Sequence, residues 1–164
     1  YNISNEILQW CSKNDLKMFC YYYMYGRLVY AYKKLFDKSF EKFDYNKLSF
    51  KSLSKEEIFL LYKKSNVILD IHHPGQKGLT MRTIEAIGAK KKLITTNSEI
   101  KKYSFYNSNN ILVIDRGNIQ IDKYFFESDY EDIDDKLYSG LSISGWLEEL
   151  FFEEHSNNWI HAIK

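Results

Sequence analysis

Gly78, Thr80, Arg82 and Glu85 fall within one short stretch, GLTMRTIE, and their types suit a phosphate ester that carries a sugar. Gly78, Leu79 and Thr80 stand where a helix would open. Free N–H groups at such a start, aided by the helix dipole, bind anions. Arg82 in the first turn and Lys77 just before it could add charge-assisted hydrogen bonds to a phosphate. Glu85 lies about one helical turn beyond Arg82. An ionised carboxylate only accepts hydrogen bonds, and the adjacent hydroxyls of a ribose are natural donors. Gln76 and Lys77 are the positions expected nearest the sugar or its β-phosphate. The combination points to a nucleoside diphosphate.

The flanking sequence supplies elements to hold these groups. Asn66–Ile71 is an apolar, β-branched run suited to a buried strand. His72–Gly78 holds the one proline of the chain and two glycines, and reads as a loop. Leu79–Ala89 carries Leu79, Met81, Ile84, Ala86 and Ile87 near helical spacing, with Thr80 as N-cap candidate. Lys92–Thr96 reads as a strand again. A parallel pair joined by a helix is expected, with ligands bound at the carboxyl ends of the strands.

The segment GQKGLTMRTIEAIGAKKKLITTN resembles the donor-binding segment of bacterial glycosyltransferases built from two Rossmann-like domains, the GT-B architecture. The similarity is greatest to lipopolysaccharide core and capsular polysaccharide transferases. In that family a glycine-containing loop opens a helix whose glutamate holds the ribose of a nucleotide sugar, and Glu85 matches that glutamate. The resemblance extends more loosely over about Leu48–Trp146. Many retaining members carry a second glutamate eight positions earlier, where this chain has Lys77. Neither the donor sugar nor the stereochemical outcome is therefore implied. The resemblance implies the carboxyl-terminal, donor-side half of such an enzyme, with an amino-terminal acceptor domain as its partner. It further implies a cytoplasmic setting at the inner face of the cell membrane, with a lipid-linked or membrane-peripheral acceptor. The nucleotide sugar is substrate, and no separate cofactor is implied.

The 164 residues fit a single domain over 1–164, with 1–14 as a leading helix and 153–164 as a tail or a second short helix carrying Trp159 and Ile160. At 45% apolar residues the chain is globular rather than disordered, and a net charge of +1 gives no global case for nucleic acid or membrane. Cys11 and Cys20 lack zinc spacing and suit a reduced cytosolic setting. The chain begins without methionine and is expected to be an excised fragment. No run reaches the length of a membrane span. Overall the expectation is an α/β, three-layer Rossmann-like domain with four to six mostly parallel strands.

Elsewhere, Ser4 is a cap candidate for the first helix, and Leu16–Tyr25 reads as a strand. Gly26 and Arg27 then precede a helix over Leu28–Phe36. The resemblance implies a basic residue from this region at the donor diphosphate, and Arg27 is the candidate by position, against the plainer reading that it caps or solvates the helix. Asp37–Asn46 mixes charges with aromatics, but its balanced charge and lack of a module pattern exclude nucleic acid as a working partner. Lys47–Leu53 reads as a strand, and Ser54 with Glu57 forms a capping box for the next helix. Asn97–Tyr106 reads as a short capped helix and Ile111–Asp115 as a further strand, after which Asp115 and Arg116 could touch the ligand or pair in a turn. Ile119–Asp135 reads as an acidic, aromatic stretch, and Ser142–Phe152 as a last amphipathic helix. The resemblance implies a terminal helix that crosses back toward the amino-terminal domain, so that Trp146, Phe151 and Phe152 would face a partner surface.

His72 and His73 end a strand, and His73 is a candidate contact to the sugar. Neighbouring side chains on an extended chain point to opposite faces. No third ligand stands at a metal spacing, so no metal is expected. Lys90, Lys91 and Lys92 are expected to end a helix and face water. A competing function class is a non-catalytic, flavodoxin-like interaction domain whose aromatic-rich first half docks a partner.

Overall fold

The structure, a computed structural model, describes residues 2–37, 43–76 and 78–151. Lys77, part of the Asp37–Asn46 stretch, Phe152 and the tail 153–164 with Trp159 and Ile160 lie outside the described residues. The chain divides into two compact units, Tyr1–Leu60 and Leu61–Lys164.

In the first unit, helix α1 (Asn2–Lys13) buries Ser4, Ile7 and Cys11, a spacing of three and four that places them on one face. Ser4 is therefore inside the helix rather than its cap, and its hydroxyl lies 3.1 Å from the Tyr22 hydroxyl. Strands β1 (Tyr22–Tyr23) and β2 (Leu48–Ser49) pair in parallel. Both are far shorter than the runs Leu16–Tyr25 and Lys47–Leu53 suggest. An aromatic run carries strand propensity, but propensity becomes strand only where a neighbour pairs with it. Phe19, Tyr21, Tyr23 and Tyr25 are all exposed. Helix α2 (Arg27–Phe36) follows, with Leu28, Val29, Tyr32, Leu35 and Phe36 exposed and no residue buried. Helix α3 (Lys55–Lys64) opens on the expected capping box. Ser54 N–H donates to Glu57 Oε2 at 2.7 Å, and Glu57 N–H to Ser54 Oγ at 3.2 Å. The division between the units falls within α3.

The second unit holds a parallel sheet in the order β3–β4–β5: Val67–Asp70, Lys92–Thr95 and Ile111–Val113. The register sets Asp70 opposite Thr95, and Thr95 opposite Val113. Among the described residues all strand pairings are parallel, and the five strands lie in two separate sheets. The architecture is α/β, as expected. Parallel strands cannot be joined by a hairpin, and α4 (Met81–Gly88) connects β3 to β4.

The core of this unit is Ile68, Ala86, Ile87, Leu93, Ile100, Phe105 and Ile111. Each of the larger side chains, Ala86 aside, contributes about 1.5–3 kcal/mol by leaving water. On α4 the buried stripe is Thr83, Ala86 and Ile87. Met81 is exposed instead, so the helix is turned from the phase its apolar residues suggest. A 3-10 turn over Ser98–Lys102 replaces the helix expected there, capped by Asn97 Oδ1, which accepts from Glu99 N–H at 3.0 Å.

Two elements fall around the acidic stretch: α5 (Tyr124–Glu127) and α6 (Asp135–Gly140), the latter capped by Asp134. Helix α7 (Ile143–Phe151) comes last. A Cβ on Gly145 would meet the Ser139 carbonyl oxygen and lie 2.8 Å from Gly140 Cα. The absence of a side chain there lets α7 approach the end of α6. Ile143, Trp146, Leu147, Leu150 and Phe151 are exposed. Among the described residues no helix is long and apolar enough to cross a membrane.

The lysine run departs from expectation. Lys90 takes the left-handed φ of 51° that ends α4, and pairs with Asp132 at 2.6 Å. Lys92 does not face water. It is 4% exposed at the start of β4, the central strand. Its Nζ donates to the Phe125 carbonyl at 3.1 Å and to Ser128 Oγ at 2.6 Å, 5.0 Å from the Phe125 ring centre. Burial holds its pKa below the ordinary lysine value, opposed by Asp129 and Glu131.

Candidate functional site

Asp70, the last residue of β3, is 2% exposed. A buried carboxylate needs donors, and the next helix supplies them. Thr80 Oγ1 donates to Asp70 Oδ2 at 2.6 Å, and Thr83 Oγ1 lies 3.5 Å from the same oxygen. Thr80 is also the N-cap of α4, its hydroxyl accepting from Thr83 N–H at 3.2 Å. One hydroxyl thus fixes the helix start to the end of the strand. The remaining N–H groups of the first turn have no acceptor within the helix.

The loop before α4 is tied from a third side. Asn97 Nδ2 donates to the Gly78 carbonyl at 3.0 Å, while its own backbone N–H donates to Thr95 Oγ1 at 3.1 Å. Gln76 Nε2 donates to the Leu79 carbonyl at 3.3 Å. Gly78 itself is exposed, and Leu79 half-buried. The helix start and the ends of β3 and β4 therefore meet at one edge, where parallel sheets take ligands.

Along α4, Arg82 and Glu85 are both exposed. They converge on one phenol of α3. Tyr62 donates its hydroxyl to Glu85 Oε2 at 2.8 Å. Burial pushes the Tyr62 pKa up to about 12, Glu85 adds to the rise, and Arg82 opposes it. Tyr62 orients the carboxylate that the sequence singles out, and nothing in the local spacing marks it as that partner.

His72 and His73 do separate, as adjacent side chains on an extended chain should. The His73 ring accepts from Gly75 N–H at 3.2 Å and is exposed. His72 turns to Thr96, 8% exposed just beyond β4. Its backbone N–H donates to Thr96 Oγ1 at 3.2 Å, and its Nδ1 lies 2.8 Å from that oxygen. Arg116 reaches the same hydroxyl at 3.2 Å and also donates to the His72 carbonyl. Burial lowers the His72 pKa, Arg116 and His73 lower it further, and Asp70 opposes them. Asp115 does not join Arg116 in a turn pair; its carboxylate accepts from Gly117 N–H at 2.7 Å and Asn118 N–H at 3.1 Å.

Gly78, Leu79, Thr80, Arg82 and Glu85 thus lie along one helix start, with Gln76 and His73 in the loop before it. Arg27 belongs to the first unit, where its guanidinium carbon lies 5.9 Å over the Phe50 ring. Asp70, Tyr62 and Thr96 are the members not singled out from sequence, and Asn97 reads there only as a helix cap. Among the described residues no group of three or more His, Cys, Asp or Glu is placed to hold a metal ion. No protein-family model matches this chain, and no curated protein sequence or solved structure matches it either.

Proposed function

We propose that the second unit is the nucleotide-sugar-binding half of a glycosyltransferase, a Rossmann-like domain of the GT-B kind acting in the synthesis of a cell-surface polysaccharide or lipopolysaccharide. The observation that carries the reading is the capped start of α4 beside the ends of β3 and β4, with Glu85 one turn further on. A diphosphate would lie against the first-turn N–H groups with Arg82 beside it. Glu85 has one oxygen held by Tyr62. A carboxylate offers about four acceptor positions, so its remaining sites serve a ribose diol. The contribution to transfer would be stabilisation of the departing nucleoside diphosphate by the helix start and Arg82. Acceptor binding would fall to a partner domain, in the cytoplasm at the inner membrane face.

The test is a heteronuclear NMR titration of the chain with UDP, GDP, CDP and ADP. Shifts at Gly78–Glu85 that weaken in Glu85→Ala and Arg82→Ala are expected. No shift there with any of the four at millimolar ligand would overturn the reading. A non-catalytic interaction domain is the second reading. The exposed apolar side chains of α2 and α7, and the exposure of Glu85, favour it.

A further inference from the structure

We propose that His72 is a neutral hydrogen-bond donor, locked with its proton on Nε2 by the Thr96 hydroxyl, and that it presents this N–H to an oxygen of the bound ligand rather than acting as a base. The inference follows from counting at one oxygen. A threonine hydroxyl has one proton to donate and two lone pairs to accept with. Both lone pairs of Thr96 Oγ1 are taken, by the His72 backbone N–H at 3.2 Å and by Arg116 Nη2 at 3.2 Å. The hydroxyl proton then goes to the third neighbour, His72 Nδ1, at 2.8 Å. A protonated Nδ1 would be a third donor aimed at an oxygen with no lone pair left. The neutral ring must carry its proton on Nε2, and the doubly protonated ring would break one of the three bonds.

The surrounding charges agree with that count. Arg116 and His73 disfavour the imidazolium, burial does the same, and Asp70 is the one group opposing them. Asp70 is itself engaged by Thr80 at 2.6 Å. Nε2 has no hydrogen-bond partner among the described residues, the ring is half-buried, and His72 lies two residues beyond Asp70, the end of β3, at the edge where parallel sheets take ligands. A neutral imidazole N–H suits a phosphate or sugar oxygen, since it donates without bringing charge or taking a proton. That the acceptor belongs to a nucleoside diphosphate rests on the function proposed above; the proton's position does not. Thr96 is a positioning residue, and Arg116 fixes its hydroxyl.

Long-range proton–nitrogen NMR of the imidazoles reads this directly, with the His72 signals assigned by their loss in His72→Gln. In the unmodified chain at neutral pH, Nδ1 should resonate as an unprotonated nitrogen and Nε2 as a protonated one. Thr96→Val should mix the two tautomers, while Thr96→Ser should keep the single tautomer. A protonated Nδ1 in the unmodified chain, or an unchanged tautomer in Thr96→Val, overturns the lock. On addition of UDP, the Nε2 signal should move together with Gly78–Glu85. Movement of Gly78–Glu85 alone overturns the donor role and leaves the proposed function standing. No movement anywhere overturns the proposed function and the ligand role with it, while leaving the lock to the tautomer measurement.

Discussion

The bond between Thr80 and Asp70 is the joint on which the candidate site turns, and a double-mutant cycle measures it. Thr80→Ala removes the acceptor for Thr83 N–H, and a lost N-cap costs about 1 kcal/mol. It also removes the donor to Asp70 at 2.6 Å, and a hydrogen bond to a charged group is worth about 1.5–3 kcal/mol. The single substitution is expected to cost about 2.5–4 kcal/mol in total. Asp70→Ala loses the same bond but also releases a carboxylate that is 2% exposed. Its own cost is therefore a mixture of opposite effects. The cycle cancels that mixture. With Thr80→Ala, Asp70→Ala and the double variant compared by urea unfolding, the coupling should be about 1.5–3 kcal/mol. Thr80→Ser keeps the hydroxyl and should show little loss. Independent sites add to within about 0.3–0.5 kcal/mol. A coupling inside that band would mean that the strand end does not hold the helix start, and the site geometry built on it would fall.

Two further outcomes follow from Tyr62 at the site and from Gly145 where α7 meets α6. The Tyr62 phenol ionises in the fold only at about 12, against an ordinary value of 10.0. Its contribution to stability is present below 10.0 and is lost as pH rises through about 12, because the unfolded chain releases that proton first. Alkaline unfolding should show this loss, and Tyr62→Phe should flatten the slope in that window. Gly145→Ala drives a methyl into the Ser139–Gly140 backbone. Overpacking of this kind costs about 1–3 kcal/mol, visible as a lower unfolding midpoint, whereas Ser144→Ala on the exposed neighbouring position should be near neutral.

Local chemistry was the readable part of this sequence. The Ser54–Glu57 box, the Thr80 cap and the Asn97 cap each involve partners two or three residues apart, and a side chain that bonds its own backbone writes its partner into the spacing. The parallel pair around α4 was readable for a similar reason, as a short apolar, β-branched run, a break and a near-helical apolar stripe in succession.

What spacing does not reveal is who meets across the fold. Asp70 sits in an apolar run and reads as part of a strand, and its partner Thr80 is ten residues on. Arg116 meets His72 across 44 residues and Tyr62 meets Glu85 across 23. The acidic run over 119–135 concealed α5 because its charges masked the buried Phe125. Lys92 was misjudged because three lysines in a row look alike until the strand register buries the last of them.

That buried lysine sets a lower limit on where the second unit can be cut. Its ammonium group is quenched by the carbonyl of Phe125 and the hydroxyl of Ser128, 33 and 36 positions downstream. A truncation that kept all three strands but stopped before this segment would strip Lys92 of both acceptors and uncover the start of the middle strand. Such a fragment should stay unfolded or expel the strand, so an autonomous piece has to run on past Ser128.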